Sequence, residues 1–450
     1  MLRRWYTCRE SATTISPSVS SARLNASADL PMPVGPTMTG TRVIVASSVV
    51  ENSHRLVNHR TSSSARPPLW LVASVVAAFW SAAYDIQQWV TEFVRSAVHV
   101  DFATFYIAAE AGMRYGWSSM YDRATLQALA TTHGLPHDYI SSAQVFANPP
   151  AFAWLLVPLT VLTIPAAYLV WTIVSLGALV WAWYVAAPYA GLGKLTLLLV
   201  ALAIWPVLNA FFYGQPSMLI LGLVATAWWF GARNKPNPIA AGVALALAFA
   251  LKPQAVFLVP IAVLVSGRYR LFASWAVSGG VIALVSVAAL GSTGLTNWWH
   301  ALNYLQSNST HSHVTIAYVF GQGPVAYALE GLQGVAALVI AWRRRTHLEV
   351  VFAAGLVGSL AASFHLHQPD YSSLVLGAWL VLRASPPLWH RLWFLAALPA
   401  MQLLTLGQPV PQLIWDAAWL VILGVSSYGG SVESTPATRR PSASAARAGT

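Results

Sequence analysis

Between residues 149 and 426 the chain is mostly apolar, broken by short loops and one longer one at 291–324. Apolar stretches fall at about 149–165, 166–187, 194–212, 216–232, 238–251, 253–266, 271–290, 325–342, 349–364, 371–382, 392–407 and 411–426, and one more at about 68–84 precedes them. In lipid, every backbone N–H and C=O must be satisfied inside the structure, which leaves helices as the natural form for stretches of this length. Composition agrees. The 450 residues are 56% hydrophobic and 9% charged, against roughly 25% charged in a soluble globular chain. The expected class is an all-α polytopic membrane protein. The 21 Trp and 16 Tyr fit interfacial belts and a ring-lined cavity.

The net charge of +11 is not a nucleic-acid signal. Residues 1–66 hold eight Arg against three acids, and residues 427–450 hold three Arg against one. Both segments read as disordered cytoplasmic tails, rich in Ser, Thr, Arg or Pro, around a membrane domain at 67–426. No signal-peptide core precedes that domain, and Met38 offers a later start site. The single cysteine, Cys8, rules out an intramolecular disulfide and a cysteine metal cluster.

Basic residues in short loops set orientation. Arg233 with Lys235, Arg268 with Arg270, Arg343 to Arg345, Arg383 with Arg391, and the C-terminal tail all read as cytoplasmic. Gln215, Lys252, the 291–324 loop and His365 to Asp370 then share the opposite face, and the basic N-terminal tail sends the 85–148 segment there too. Parity requires that one stretch between Asp101 and Gln215 does not cross. The stretch 149–165, interrupted by Pro149, Pro150, Pro158 and Pro165, is the one expected to stay on that face, leaving about twelve spans. Two stretches, 238–251 and 371–382, fall short of the ~17 residues a crossing needs. One ends at Lys252 and the other begins beside Asp370, so their ends can line a polar cavity.

Chemistry concentrates on that face. Segment 85–148 carries Asp85, Glu92, Asp101, Glu110, Asp122 and Asp138 against three Arg, so it is expected to face water or a closed polar cavity. Asp101 opens a short interfacial helix over Phe102 to Glu110. It serves there as an N-cap, as a general base, or as both. Lys252-Pro253 interrupts a run otherwise apolar from Ile239 to Val265. A lysine so placed is expensive, and it either stabilises developing negative charge or snorkels at a hairpin. Gln215, between two apolar stretches, is a hydrogen-bond donor to a hydroxyl or phosphate, or a loop amide in water. His365-Leu366-His367-Gln368-Pro369-Asp370 has the i, i+2 histidines of a metal site. Pro369 makes it an irregular loop, and a polar contact to phosphate or sugar is favoured over a metal. Trp298, Trp299, His300, Tyr304, His311 and His313 form an aromatic second loop suited to sugar rings or to a lipid interface. No GxxxxGK[ST] loop and no strand-to-helix GxGxxG occurs, so a donor must come from the membrane and not from a nucleotide site.

With these residues in hand, the chain resembles the polytopic glycosyltransferases of family 87. The resemblance spans about residues 68–425. It rests on Asp101-Phe102 with Tyr106, Ala109, Gly116 and Tyr121-Asp122, on Asn148-Pro149-Pro150 with Pro158-Leu159, on Gly214-Gln215, on Ala241-Gly242 leading to Lys252-Pro253, and on His365 to Asp370. It implies a GT-C-like bundle of about 12 transmembrane helices with a long extracytoplasmic first loop. It also implies transfer of a hexose, mannose foremost, from a polyprenyl-phosphate donor to a lipid-linked glycan. No cofactor is expected beyond that donor, and no metal. In this reading Asp101 is the base. Lys252, Gln215, His365, His367 and Asp370 meet the donor phosphate and sugar, while Trp298, Trp299 and Tyr106 meet the acceptor. The His365 to Asp370 stretch departs from the His-Asp pattern expected there. A multi-spanning lipid or glycolipid transporter is the rival, but it would place charges at bilayer depth and towards both faces. A structural subunit of an envelope complex is a third option.

Overall fold

In the computed structural model, residues 69–95, 100–136, 138–140, 145–307 and 314–429 are described. The expected tails, apart from residues 427–429, lie outside them, as do Cys8, His311 and His313. The described residues are helical, with no strand among them.

The helices are α1 (Leu69–Arg95), α2 (Val100–Tyr115), α3 (Arg123–Thr132), α4 (Pro150–Leu156), α5 (Ile164–Ala186), α6 (Gly191–Ala203), α7 (Trp205–Tyr213), α8 (Ser217–Ala232), α9 (Pro238–Leu251), α10 (Leu258–Val265), α11 (Tyr269–Ser307), α12 (Ile316–Phe320), α13 (Pro324–Arg343), α14 (Leu348–Ala361), α15 (Ser373–Arg383), α16 (Leu388–Gln402) and α17 (Val410–Val425). Three of these, α5, α11 and α13, are long and apolar enough to cross a membrane; α6 with α7, bent by 60° at their junction, would make a fourth. The bend follows from Pro206, which cannot continue the ladder and disfavours helix at the residue before it. The apolar stretch at 194–212 is therefore two helices, not one.

Other boundaries move for equally local reasons. The first helix does not stop at 84 but runs on to Arg95, carrying Asp85 inside the bundle. Asp85 is fully buried and accepts a hydrogen bond from Gln402 Nε2 at 2.9 Å. It therefore faces neither water nor the polar cavity described below, because a partner amide makes the burial tolerable. The stretch 271–290 continues to Ser307 through a kink at Gly291, whose φ of 61° and ψ of −171° are open mainly to glycine. The stretch 149–165 is a seven-residue helix followed by a 3-10 turn over Val157–Val161.

The bundle is built around α14. Its sequence is apolar on all sides, and of its residues only Glu349 is not buried, as expected of a helix with no polar face. It packs against α10, α13, α15 and α17. Small residues bring these backbones close, as is usual where the surroundings are as apolar as the side chains. A Cβ on Gly355 would lie 2.7 Å from Val259 Cα, and one on Gly358 would lie 2.4 Å from Ala337 Cβ.

This packing makes a stability prediction. Gly355→Ala puts a methyl against backbone that cannot rotate away, at a cost of about 1–3 kcal/mol. Gly331→Ala on α13 meets nothing within 4 Å and should be neutral or slightly stabilising. Thermal unfolding in detergent should show a lowered Tm for the first variant only.

Candidate active site

Four polar side chains from distant parts of the chain meet in one hydrogen-bonded row. Gln215 Nε2 donates to Asp101 Oδ2 at 2.5 Å. Lys252 Nζ donates to Gln215 Oε1 at 3.2 Å and forms an ion pair with Asp370 Oδ1 at 2.6 Å. Gln215, Lys252 and Asp370 are buried, and Asp101 is half-buried. All but Asp370 line a cavity of about 530 Å³, whose walls include Asn148, Trp298, Trp299, His365 and His367. Asp370 sits behind Lys252.

Each member is held by its own local structure. Asp101 lies in the first turn of α2, next to the fully buried Phe102, which packs edge-on to Tyr168 of α5 with centroids 5.5 Å apart. Gln215 follows Gly214, which ends α7 in the left-handed region at φ 69°. A Cβ there would stand 2.6 Å from Phe102 Cβ. Only glycine lets the start of α2 sit directly on this turn, and that contact brings Asp101 to Gln215. Trp171 Nε1 donates to Gly214 O at 2.8 Å, and Tyr168 Oη donates to Phe211 O at 2.7 Å, so α5 fixes the turn from outside.

Lys252 follows the last residue of α9, and Pro253 begins the 3-10 turn after it. Asn148 Nδ2 ties this end down through Leu251 O at 3.2 Å. Asp370 belongs to a 3-10 turn over Gln368–Ser372 and accepts from the backbone N–H of His367 at 2.9 Å. The two short helices α9 and α15 thus end against each other through a buried ion pair. Removing one partner of such a pair leaves an uncompensated charge, typically a loss of about 3–5 kcal/mol.

The aromatic wall is fixed as well. Trp298 donates to Ala147 O at 3.0 Å and stacks on Tyr121, with centroids 5.9 Å apart and planes 18° apart. Tyr121 Oη donates to Asn148 O at 2.7 Å. Trp299 is 62% exposed at the mouth. The His365 and His367 rings meet edge to face at 4.9 Å. Among the described residues no three His, Cys, Asp or Glu side chains are grouped to hold a metal ion.

Of the residues singled out by sequence, eight come together here: Asp101, Gln215, Lys252, Asp370, His365, His367, Trp298 and Trp299. Tyr106 does not. It is buried, and its hydroxyl donates to Thr160 O and Leu162 O at 3.0 and 2.7 Å. It anchors α2 to the 3-10 turn, and the i, i+5 step from Asp101 carries it off the cavity side. Three residues went unnoticed as site candidates: Asn148 and Thr104, which line the cavity, and Tyr139, which hydrogen-bonds Thr104 and lies within electrostatic reach of Asp101. Asn148, adjoining the Pro149-Pro150 break, carried a readable signal. Tyr139 carried none, because it enters from an irregular segment.

Burial raises the Asp101 carboxyl above the usual carboxylate range; the Gln215 hydrogen bond and Lys252 work against the rise, and Asp370 adds to it. A carboxylate raised in this way, facing a cavity, is suited to accept a proton near neutral pH. A buried cation beside it, with two imidazoles on the wall, suits a substrate bearing both a hydroxyl and an anionic group.

No curated protein and no solved structure matches the chain. The model of one family, described as glycosyltransferase family 87, matches residues 146–369. That span takes in Asn148, Gln215, Lys252, both tryptophans and both histidines; Asp101 precedes it, and Asp370 follows it directly. The cavity and its polar floor therefore belong to a membrane glycosyltransferase, and the chain is a member of family 87.

Proposed function

We propose that this glycosyltransferase moves a hexose, mannose in the first instance, from a polyprenyl-phosphate donor to a hydroxyl of a lipid-linked glycan on the extracytoplasmic face, with inversion. The observation that carries the reading is the row Asp101, Gln215, Lys252, Asp370 at the floor of a cavity walled by tryptophan and histidine. Family membership disfavours the transporter alternative.

The chemistry follows from the floor. The acceptor hydroxyl loses its proton to Asp101 as its oxygen attacks the anomeric carbon in line. The glycosyl–phosphate bond breaks on the opposite side, and the polyprenyl phosphate leaves with the electron pair. A β-linked donor gives an α-linked product. Phosphate is a good leaving group, so a second carboxylate acting as general acid is not required. Lys252 is shared between Asp370 and Gln215. The leaving phosphate therefore draws on His365 and His367 as well as on the cavity side of Lys252, where a preorganised positive group stabilises developing charge. Trp298 and Trp299 offer faces for the acceptor sugar.

The proposed topology has twelve crossings: α1, α5, α6 with α7, α8, α9, α10, α11 as far as Gly291, and α13 to α17. Helices α2, α3 and α4 stay on the active face, as the basic loops require.

Four outcomes are expected. Purified protein given polyprenyl-phosphate mannose and a glycolipid acceptor should yield a product one hexose heavier by mass spectrometry. Direct use of GDP-mannose would refute the donor assignment. Asp101→Asn keeps an oxygen for Gln215 but loses the proton acceptor, so turnover should fall about a hundredfold or more while donor affinity is retained. In the unmodified enzyme kcat/KM should fall as pH drops, because the base is lost on protonation. Since burial raises that pKa, the acid limb should lie above the ~4 of an ordinary aspartate and be missing from Asp101→Asn. For topology, in a Cys8→Ser background, a cysteine at the exposed Thr132 should react with an impermeant thiol reagent in intact cells. A cysteine at the exposed Asn234 should not; the reverse pattern would invert the orientation.

A further inference from the structure

A second cavity, of about 120 Å³, lies away from the polar floor, between α6, α15 and α16. Its α16 side is a single stripe: Leu388, Leu392, Leu395, Leu398 and Met401 recur at helical spacing. From Leu388 to Met401 this stripe runs about 20 Å at 1.5 Å per residue, somewhat more than one leaflet of a ~30 Å hydrocarbon core. Polar groups are few: Ser74, Tyr189 and Arg391.

The basic end is distinctive. Arg391 Nε donates to Pro386 O at 2.9 Å, which fixes the guanidinium at the turn between α15 and α16, and Arg391 lies within electrostatic reach of Tyr189. Outside the lining, Lys194 at the start of α6 donates from Nζ to Tyr184 O at 2.7 Å and lies within electrostatic reach of Arg383. Among the described residues none of these three cations is paired with a carboxylate. An apolar groove along a stripe of leaflet length, with the unneutralised Arg391 in its lining and two further unpaired cations outside it, matches one molecule class: a phosphate-bearing head and a hydrocarbon chain. Basic pockets between membrane helices hold anionic lipid head groups in this way.

We propose that this groove binds one chain of an anionic phospholipid, with its phosphate on Arg391 and with Lys194 and Arg383 adding to the positive field. The groove ends at Leu374 and Val375, directly after the turn that carries Asp370, and at Met401, next to the Gln402 that holds Asp85. An occupied groove therefore supports the helix that follows the turn bearing Asp370. The proposal rests on the apolar helices and not on the donor chemistry.

The test uses the full chain purified in detergent, with native mass spectrometry and thermal unfolding as readouts, and needs no sugar donor. Phosphatidylglycerol should be retained about tenfold over phosphatidylcholine, the scale of one charge-assisted contact, and should raise Tm more. Arg391→Gln should bring the two lipids near parity without loss of helix content. Ala378→Phe, which fills the groove, should reduce retention of both. Arg268→Gln, a basic residue elsewhere, should keep the preference. Glycerol phosphate alone should raise Tm little, since the chain supplies most of the contact. Parity of the two lipids in the unmodified protein would overturn the proposal. So would a preference unchanged in both Arg391→Gln and Ala378→Phe, or full stabilisation by glycerol phosphate.

Discussion

Lys252 and Asp370 hold two opposite charges 2.6 Å apart inside an otherwise apolar bundle, at the point where two helices of 14 and 11 residues stop short. Neither helix reaches the ~17 residues of a full crossing, and the missing turns are what make room for the cavity. The ion pair joins the two ends, Gln215 bridges from Lys252 to Asp101, and the start of α2 is thereby docked onto the membrane bundle. Without the pair, the polar floor would hold a buried lysine and a buried Asp370 carboxylate, each unpaired, an arrangement a low-dielectric interior does not tolerate.

Such a pair must also be held from behind. The turn bearing Asp370 is clamped on both sides. Gln368 Oε1 accepts from Trp205 Nε1 at 2.7 Å and Asn209 Nδ2 at 2.8 Å, and its amide donates to Leu404 O at 3.0 Å. Tyr371 Oη donates to Val314 O at 2.8 Å. Gln402 extends the same scaffold, accepting from the Trp205 backbone at 3.2 Å and donating to Asp85 at 2.9 Å. Most of these partners lie more than 30 residues apart in sequence and on different helices. Losing Gln368 would therefore free the turn and disturb Asp370 without touching the cavity itself.

Much of this was legible in the sequence, because lipid forces helices and charge in lipid demands a reason. The apolar stretches from residue 216 onward lie close to the observed helices, except that 271–290 runs on to Ser307, and Lys252 stood out by its cost in an apolar run. What stayed hidden was pairing. Asp101 and Gln215 are 114 residues apart, and nothing local in either segment names the other. Asp85 looked like the end of a span, because its partner amide at residue 402 lies on the far side of the chain. Tyr106 looked like a ring for a sugar, because its proximity to Asp101 in sequence says little about which side of α2 it occupies. The α6–α7 bend was signalled by Pro206, but an apolar stretch reads as one span unless the proline is given its full weight.

The charge count at the floor sets the surroundings of Asp101. Two carboxylates face one ammonium, and the ammonium stands closest to Asp370, which also takes the His367 amide hydrogen. Asp101 takes the neutral Gln215 amide, and burial together with the Asp370 charge holds its proton affinity up against the pull of that amide and of Lys252. Packed apolar side chains in place of a buried ion pair are often as stable or more so, so fold stability alone gives no account of why Lys252 and Asp370 are there. The cavity that Lys252 faces does: the pair keeps a cation fixed near the Asp101 carboxylate, with Gln215 between them.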